Sequence, residues 1–101
     1  MNISNNISSI QAHATMLNVS ADNVANVNSD GFLPSDTRMQ DSKGSVTPNI
    51  KKSDSDGSLK SQTDLTREIP NQIIAEKVVA SNVKAIRAYD DMLGSLLDIK
   101  A

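Results

Sequence analysis

The side chains that could carry out chemistry in this sequence stand without partners. His13 is the only histidine and there is no cysteine, whereas a general base or a metal ligand needs carboxylates, thiolates or further histidines clustered beside it. The serines include no Gly-x-Ser-x-Gly turn of the kind that exposes a nucleophile. The sequence therefore predicts that the protein is not an enzyme and that it has no catalytic residues, no metal site, no cofactor and no small-molecule substrate.

The segment around Asp54 and Asp56 has part of the spacing of a calcium-binding loop, with Gly57 at the sixth position. Lys52 and Thr63 would then stand at the first and twelfth positions, where such loops carry carboxylates. Because two essential ligands are missing, we do not expect a calcium site here.

The composition also limits what the chain can be. Its 101 residues make one small domain at most, with one Phe, one Tyr and no Trp to build a core. A net charge of −2 argues against a nucleic-acid partner. No stretch approaches the roughly 18 apolar residues of a transmembrane helix, and we expect no cleaved signal peptide. These features indicate a polar, aromatic-poor chain that needs a partner protein.

Apolar side chains recur in the first part of the chain, from about residue 2 to about residue 28, at alternating steps of four and three residues. On a helix this spacing forms one narrow stripe, which is typical of a coiled coil. Gly31 can adopt the left-handed conformation that ends a helix, and Pro34 opposes its continuation. The stripe, called here the first heptad, consists of Ile3, Ile7, Ile10, Ala14, Leu17, Ala21 and Val24.

The last part, from residue 64 to about residue 100, is helical by period but has two apolar stripes about a quarter-turn apart. We assign the first seam to the partner helix of the same chain and the second to neighbouring subunits. Pro70 leaves two alternatives, a helix that begins near Ile69 or a kinked helix that begins at Asp64. The first seam is Val79, Val83, Ile86, Leu93 and Leu97, interrupted by Asp90; the second is Val78, Ala85, Tyr89, Met92, Leu96 and Ile99, interrupted by Asn82.

Residues 34–62 are mostly Ser, Asp, Lys, Thr, Gly and Pro, which favours a polar linker or loop. The predicted fold class is therefore all-α, with two long terminal helices that form a coiled-coil hairpin joined by an irregular polar segment. Residues 1–33 contain the first helix and its Asn-rich end, and residues 63–101 contain the second helix. The two helices together form one helical domain.

Polar residues within these stripes have two interpretations, which are compatible with each other. Asn23, Asn26 and Asn28 cluster where the first helix ends, and Asn82 and Asp90 interrupt the second helix. They could cap helix ends and fix the register of the pair, as polar residues in coiled coils do. They could also form hydrogen-bonded contacts between subunits.

The stretch ISSIQAHATMLNVSADNVANVNSDGF resembles the amino-terminal sequence of bacterial flagellar rod and hook proteins, and residues 63–100 resemble the carboxy-terminal helix of the same family. The sequence departs from that family at Ser9, where glycine is usual, at Val79, where an aromatic residue is usual nearby, and at Pro70. The family's middle segment is normally longer and often β-rich. The matching positions are Ile10, Ala12, Leu17, Val19, Asn23, Val24, Ala25, Asn26, Asn28, Gly31 and Phe32, followed by Asp64, Leu65, Glu68, Ile69, Ile73, Ala75, Asn82, Ile86, Asp90, Leu93 and Leu97.

The resemblance implies a structural subunit of the flagellar basal-body rod, which polymerises through paired terminal helices into the axial tube. It implies export in an unfolded state by the flagellar type III apparatus, and contacts with itself, with other rod and hook proteins and with that apparatus. Two alternatives stay open: an export accessory or regulator that binds axial subunits, and an unrelated oligomeric helical bundle. The residues expected to mediate assembly are Ile10, Leu17, Asn23, Val24, Asn26, Asn28, Gly31, Phe32, Val79, Asn82, Val83, Ile86, Tyr89, Asp90, Met92, Leu93, Leu96 and Leu97.

Overall fold

A computed structural model describes residues 3–100 of the chain, the last two by their backbone only. Asn2 and the side chain of Ile99, both included in the sequence predictions, lie outside this description. The elements are helix α1 (Ile3–Ala25), strand β1 (Ser35–Ser42), strand β2 (Ser45–Lys52) and helix α2 (Leu65–Lys100). No helix within the described part of the chain is long and apolar enough to cross a membrane.

The prediction of an all-α fold joined by an irregular polar segment is wrong. Strands β1 and β2 form an antiparallel hairpin inside the segment that was expected to be a linker, so the fold is α+β. Met39 pairs with Pro48 in the register, and these side chains and that of Val46 are half-buried on one face of the hairpin. This face gains its burial because the hairpin packs against α1, a tertiary contact that offsets the cost of ordering a polar segment.

The hairpin runs back along α1. Its first residue, Ser35, is hydrogen-bonded to Asn23 near the end of α1, whereas Gly44 at its tip lies beside Asn5. The backbone amide of Val46 also donates to the Ser8 hydroxyl at 3.0 Å. The part of α1 from Asn5 to Asn23 and the part of the hairpin from Ser35 to Gly44 are each about 27–30 Å long, at 1.5 Å per helical residue and about 3.3 Å per strand residue. The hairpin therefore covers almost the whole length of α1.

The hairpin turn allows a stability prediction. Lys43 and Gly44 have positive φ angles of 51° and 83°, as the two central residues of a type I′ turn require. We expect Gly44→Ala to lower the stability by about 1–2 kcal/mol, because alanine is strained in the left-handed region. Lys43→Asn should raise the stability slightly, because asparagine tolerates that region better. Urea denaturation of both variants measures the difference, and equal effects would contradict the turn assignment.

The two helices pack antiparallel. Asn23 of α1 contacts Glu68 near the start of α2, and Ser9 contacts Asn82 further along it. Asp64 precedes α2, and its carboxylate accepts the backbone amide of Thr66 at 3.0 Å, as an N-cap residue does. Helix α2 begins at Leu65 and contains Pro70, which decides between the two alternatives in favour of the earlier start.

The N-cap of α2 predicts a pH dependence. Hydrogen bonds from the hydroxyl and backbone amide of Thr66 hold the pKa of Asp64 below its usual value. The folded state therefore gains stability above the unfolded-state pKa of Asp64 and loses it as the pH falls through the lowered value. Asp64→Asn keeps the capping oxygen but does not titrate, so its melting temperature should decline less than that of the parent under acid. Parallel curves for the two proteins would contradict this assignment.

The interior of the fold is built from small and polar side chains. Among the described residues, the buried apolar ones are Ala12 and Ala75, and the other buried residues are Ser20, Asn23 and Glu68. Small side chains let the two helix backbones approach closely, and the polar ones must then find hydrogen bonds. About half of the described large apolar residues are exposed, and these are Ile7, Leu17, Ile50, Leu59, Leu65, Ile69, Ile73, Ile74, Val83, Met92, Leu93, Leu96 and Leu97.

Candidate functional site

A network of buried hydrogen bonds joins the four segments that meet at the end of α1. We call this network the polar junction, and Asn23, only 1% exposed, lies at its centre. The Asn23 side-chain amide donates to the Ser35 carbonyl at 2.7 Å, and its oxygen accepts the Ser35 backbone amide at 2.9 Å. The side chain thus pairs with the backbone as a neighbouring strand would. The residues of the junction are Ser20, Asn23, Ser35, Thr63 and Glu68.

Helix α2 joins this network through Glu68. The same Asn23 nitrogen donates to the two carboxylate oxygens of Glu68 at 3.1 and 3.0 Å, and the Ser20 hydroxyl donates to the Glu68 carbonyl at 3.2 Å. The loop before α2 contributes Thr63, whose hydroxyl donates to the Asn23 carbonyl at 2.9 Å. Asn23 therefore fixes α1, the hairpin, this loop and α2 relative to one another.

The other residues of the Asn-rich end serve the turn that follows α1. The Asn26 side chain donates to the Asp22 carbonyl at 2.9 Å and accepts the Ser29 hydroxyl at 2.9 Å. Asn28 is exposed. For Asn23 and Asn26, these bonds favour the structural interpretation, in which the polar residues cap the helix and fix its packing.

Two backbone bonds hold the next residues against the loop before α2. Gly31, with φ at 72°, donates to the Leu59 carbonyl at 2.8 Å, and Gln62 donates to the carbonyl of half-buried Phe32 at 3.0 Å. The positive φ explains why glycine occupies position 31.

Residues of both predicted seams of α2 contribute to its contact with α1. Val79 and Ile86 of the first seam are half-buried, and so are Val78, Ala85 and Tyr89 of the second. Asn82 lies between them, where it donates to the Ser9 hydroxyl at 3.1 Å and to the Val78 carbonyl at 2.9 Å. Val83, assigned from the sequence to the intrachain contact, is 41% exposed. The α1-facing stripe of α2 therefore lies between the two seams rather than on one of them.

The first heptad does not form the centre of the contact between the helices. Ala14 and Ala21 are exposed and Leu17 is 38% exposed, whereas Ile10 and Val24 are half-buried. At 100° per residue, this heptad is centred about 140° around α1 from the buried residues Ala12, Ser20 and Asn23. Part of the stripe that looked most like a coiled-coil contact, including Leu17, is thus left exposed.

The far end of α2 carries the remaining residues that were expected to mediate assembly. Met92, Leu93, Leu96 and Leu97 are all exposed, and Leu97 is 67% exposed. Asp90 lies among them and is also exposed. The structure therefore divides the expected assembly residues among the polar junction with its adjoining turn, the helix contact, and two exposed apolar surfaces. One surface is the exposed part of the first heptad around Leu17, and the other is the end of α2 from Met92 to Leu97.

The Ser9–His13 pair has the residue types of a nucleophile and its base, but its geometry does not suit that role. His13 Nδ1 lies 2.8 Å from the Ser9 carbonyl and 3.4 Å from the Ser9 hydroxyl. A carbonyl oxygen only accepts, so Nδ1 carries the proton in the shorter bond and is not free to take one from serine. The contact joins two residues that lie one helical turn apart on α1.

A polar cavity of about 240 Å³ adjoins the junction. Asp36 and Arg67 line it, with 3.5 Å between their charged groups. No cluster of three or more acidic or histidine side chains suited to a metal ion occurs in the described part of the chain. The cavity offers hydrogen-bonding and charged groups.

Comparison with known protein families finds no family model that matches this chain, and comparison with curated proteins finds no match either.

Proposed function

We propose that the protein is a structural subunit of the bacterial flagellar basal-body rod. It polymerises with copies of itself and with other axial proteins of the rod and hook, and it performs no catalysis. The observation that carries this proposal is where the apolar residues lie, because large aliphatic side chains are exposed at positions outside a core of small and polar residues. The protein's buried residues are alanines and polar side chains, while about half of its described large aliphatic residues are exposed.

That placement favours a protein that completes its burial by assembly. Burying apolar area contributes about 25 cal/mol per Å², and this chain leaves much of its aliphatic area in contact with solvent. Clusters of exposed apolar side chains mark interaction sites. Exposed apolar residues occur on both terminal helices, which is where the resemblance to axial proteins places the contacts between subunits.

The junction and the hairpin support the same proposal. Asn23 belongs to the Asn-rich stretch that carries the resemblance, and its side chain and backbone carbonyl together fix the α1 end against the other three segments. Rod and hook proteins often have β structure between their terminal helices, and the hairpin occupies that place in this chain. A rigid junction would give every subunit the same shape, which a regular polymer requires.

The small core is compatible with export in an unfolded state. Two buried alanines and a few buried polar groups provide little stability to overcome before translocation. Once the protein is outside, contacts with neighbouring subunits would supply the missing burial. We propose the periplasm-spanning rod as its location.

Quantitative mass spectrometry of purified basal bodies tests the proposal. We expect the protein in the basal-body fraction of the parent strain, at a fixed ratio to other rod proteins. Its absence from intact basal bodies, together with binding to axial subunits before export, would instead identify an export accessory. Closed particles of fixed size in light scattering, with no flagellar association, would identify an unrelated oligomeric bundle. Either result would overturn the rod assignment.

A further inference from the structure

Helix α2 extends well beyond the start of α1. Asn23 lies opposite Glu68 and Ser9 opposite Asn82, so the two helices advance together by fourteen residues between these contacts. In the same register, Ile3 lies level with about residue 88. Helix α2 therefore ends about 18 Å past the described start of α1, and its residues 90–100 are called here the α2 overhang.

The face of α2 that packs on α1 continues into this overhang. Ala75, Val79, Asn82, Ile86 and Tyr89 follow steps of four and three residues along that face, and all are buried or half-buried. The same steps lead next to Leu93 and Leu96, which are exposed. The pattern of an established helix contact thus continues without interruption where no part of α1 lies opposite.

The first heptad on α1 has the properties that this overhang requires of a partner. It follows the same steps of four and three residues, and its second half, from Ala14 to Val24, is about as long as the overhang. Helix α1 carries only two titratable side chains, His13 and Asp22. Almost no charge would therefore be desolvated when its outer stripe is covered.

We infer that the α2 overhang of one copy packs on the first heptad of a second copy. The α1 helix of the second copy continues the line of the first copy's α1, and its outer stripe meets Leu93 and Leu96. Each α1 would then be held between its own α2 and the overhang of a neighbour. Such a contact joins two different surfaces and repeats without closing, so it builds an open polymer. This inference rests on the proposed function and identifies its contact surfaces.

Engineered disulfides test the inference, because the chain has no cysteine of its own. The double variant Leu17→Cys, Leu93→Cys changes two exposed positions. Leu17 lies level with about residue 74 of its own α2, which places Leu93 about 28 Å away along the helix. A disulfide needs Cα atoms within about 7 Å, so a bond between these positions must join two copies.

We expect mild oxidation to give a ladder of covalent multimers in a non-reducing gel. A second double variant, Leu17→Cys with Leu96→Cys, samples the adjacent position on the same face. The matched control, Leu17→Cys with Leu59→Cys, places the second thiol on the exposed loop and should give no such ladder. Mixing the single variants Leu17→Cys and Leu93→Cys should give a covalent heterodimer.

Homodimers of Leu93→Cys without any mixed product would overturn the inference, because they would show overhangs that pair with each other. Absence of a mixed product from both the Leu93 and Leu96 variants would also overturn it. The presence of the protein in purified basal bodies is measured separately. The contact inferred here can therefore fail while the rod assignment stands.

Discussion

Asn23→Asp is expected to destabilise the fold by about 3–5 kcal/mol, the range found when a buried charge loses its partner. The substitution removes the nitrogen that donates to both Ser35 and Glu68, and it places a second carboxylate beside the buried one. A small fold with few buried apolar side chains has little stability in reserve. We expect the helical circular dichroism signal of the variant to fall sharply at 25 °C, or its urea midpoint to approach zero.

Two further variants make this prediction specific. Asn28→Asp adds the same charge in the same Asn-rich segment at an exposed position, and it should change the stability by no more than about 0.5 kcal/mol. Glu68→Gln, combined with Asn23→Asp, removes the like charge and supplies a new amide donor, so it should restore part of the loss. If Asn23→Asp and Asn28→Asp are equally stable, the polar junction does not hold the fold together.

Leu17→Asp is expected to keep the helicity that the parent shows in dilute solution and to prevent assembly. Its side chain is already 38% exposed in the single chain, so a carboxylate there is still hydrated. In the proposed contact that carboxylate would lose its water, at a cost of about 2–4 kcal/mol. The concentration required for assembly should therefore rise by roughly 30- to 1,000-fold. Sedimentation measures the assembled fraction, and circular dichroism measures the fold.

Leu59→Asp is the matched control, because Leu59 is 86% exposed on the loop before α2 and lies on neither apolar surface. It should assemble like the parent. Normal assembly of Leu17→Asp would show that the first heptad is not a contact surface. Loss of helicity in dilute Leu17→Asp would show instead that this residue supports the fold of the single chain.

Local signals in the sequence locate the two helices well. The first helix was expected to end before Gly31 and ends at Ala25. The second was expected to begin either at Asp64 or near Ile69, and it begins at Leu65. The hairpin was not predicted because the polar composition of residues 34–62 outweighed a weak strand pattern within them. Val46, Pro48 and Ile50 alternate as in a strand, but proline within that run argues against one.

The orientation of the first heptad could not be read from its period. Periodicity shows that a helix has an apolar stripe, but it does not show what the stripe faces. Here the fully buried apolar residues of α1 and α2 are Ala12 and Ala75, whose small side chains lie outside the predicted stripes. An apolar stripe that is left exposed is indistinguishable, in the sequence, from one buried within the chain.

The hydrogen-bond partners of Asn23 also could not be predicted from the sequence. Asparagine clusters at the end of a helix indicate caps, and Asn26 does take part in the turn there. The contacts of Asn23 are different, because Glu68 is 45 residues away and Ser35 is bound through its backbone. The type of a residue does not indicate whether its backbone will bind a distant side chain. Only the three-dimensional arrangement reveals that one asparagine joins four segments.

The central claim is that this chain completes its fold by burying its exposed aliphatic residues against other subunits. Helicity and sedimentation of the intact protein, measured together over a range of concentrations, test it most directly. We predict that the helical signal and the melting temperature rise with concentration, in step with the average mass. A monodisperse monomer with a cooperative, concentration-independent melt and full helicity would contradict the claim.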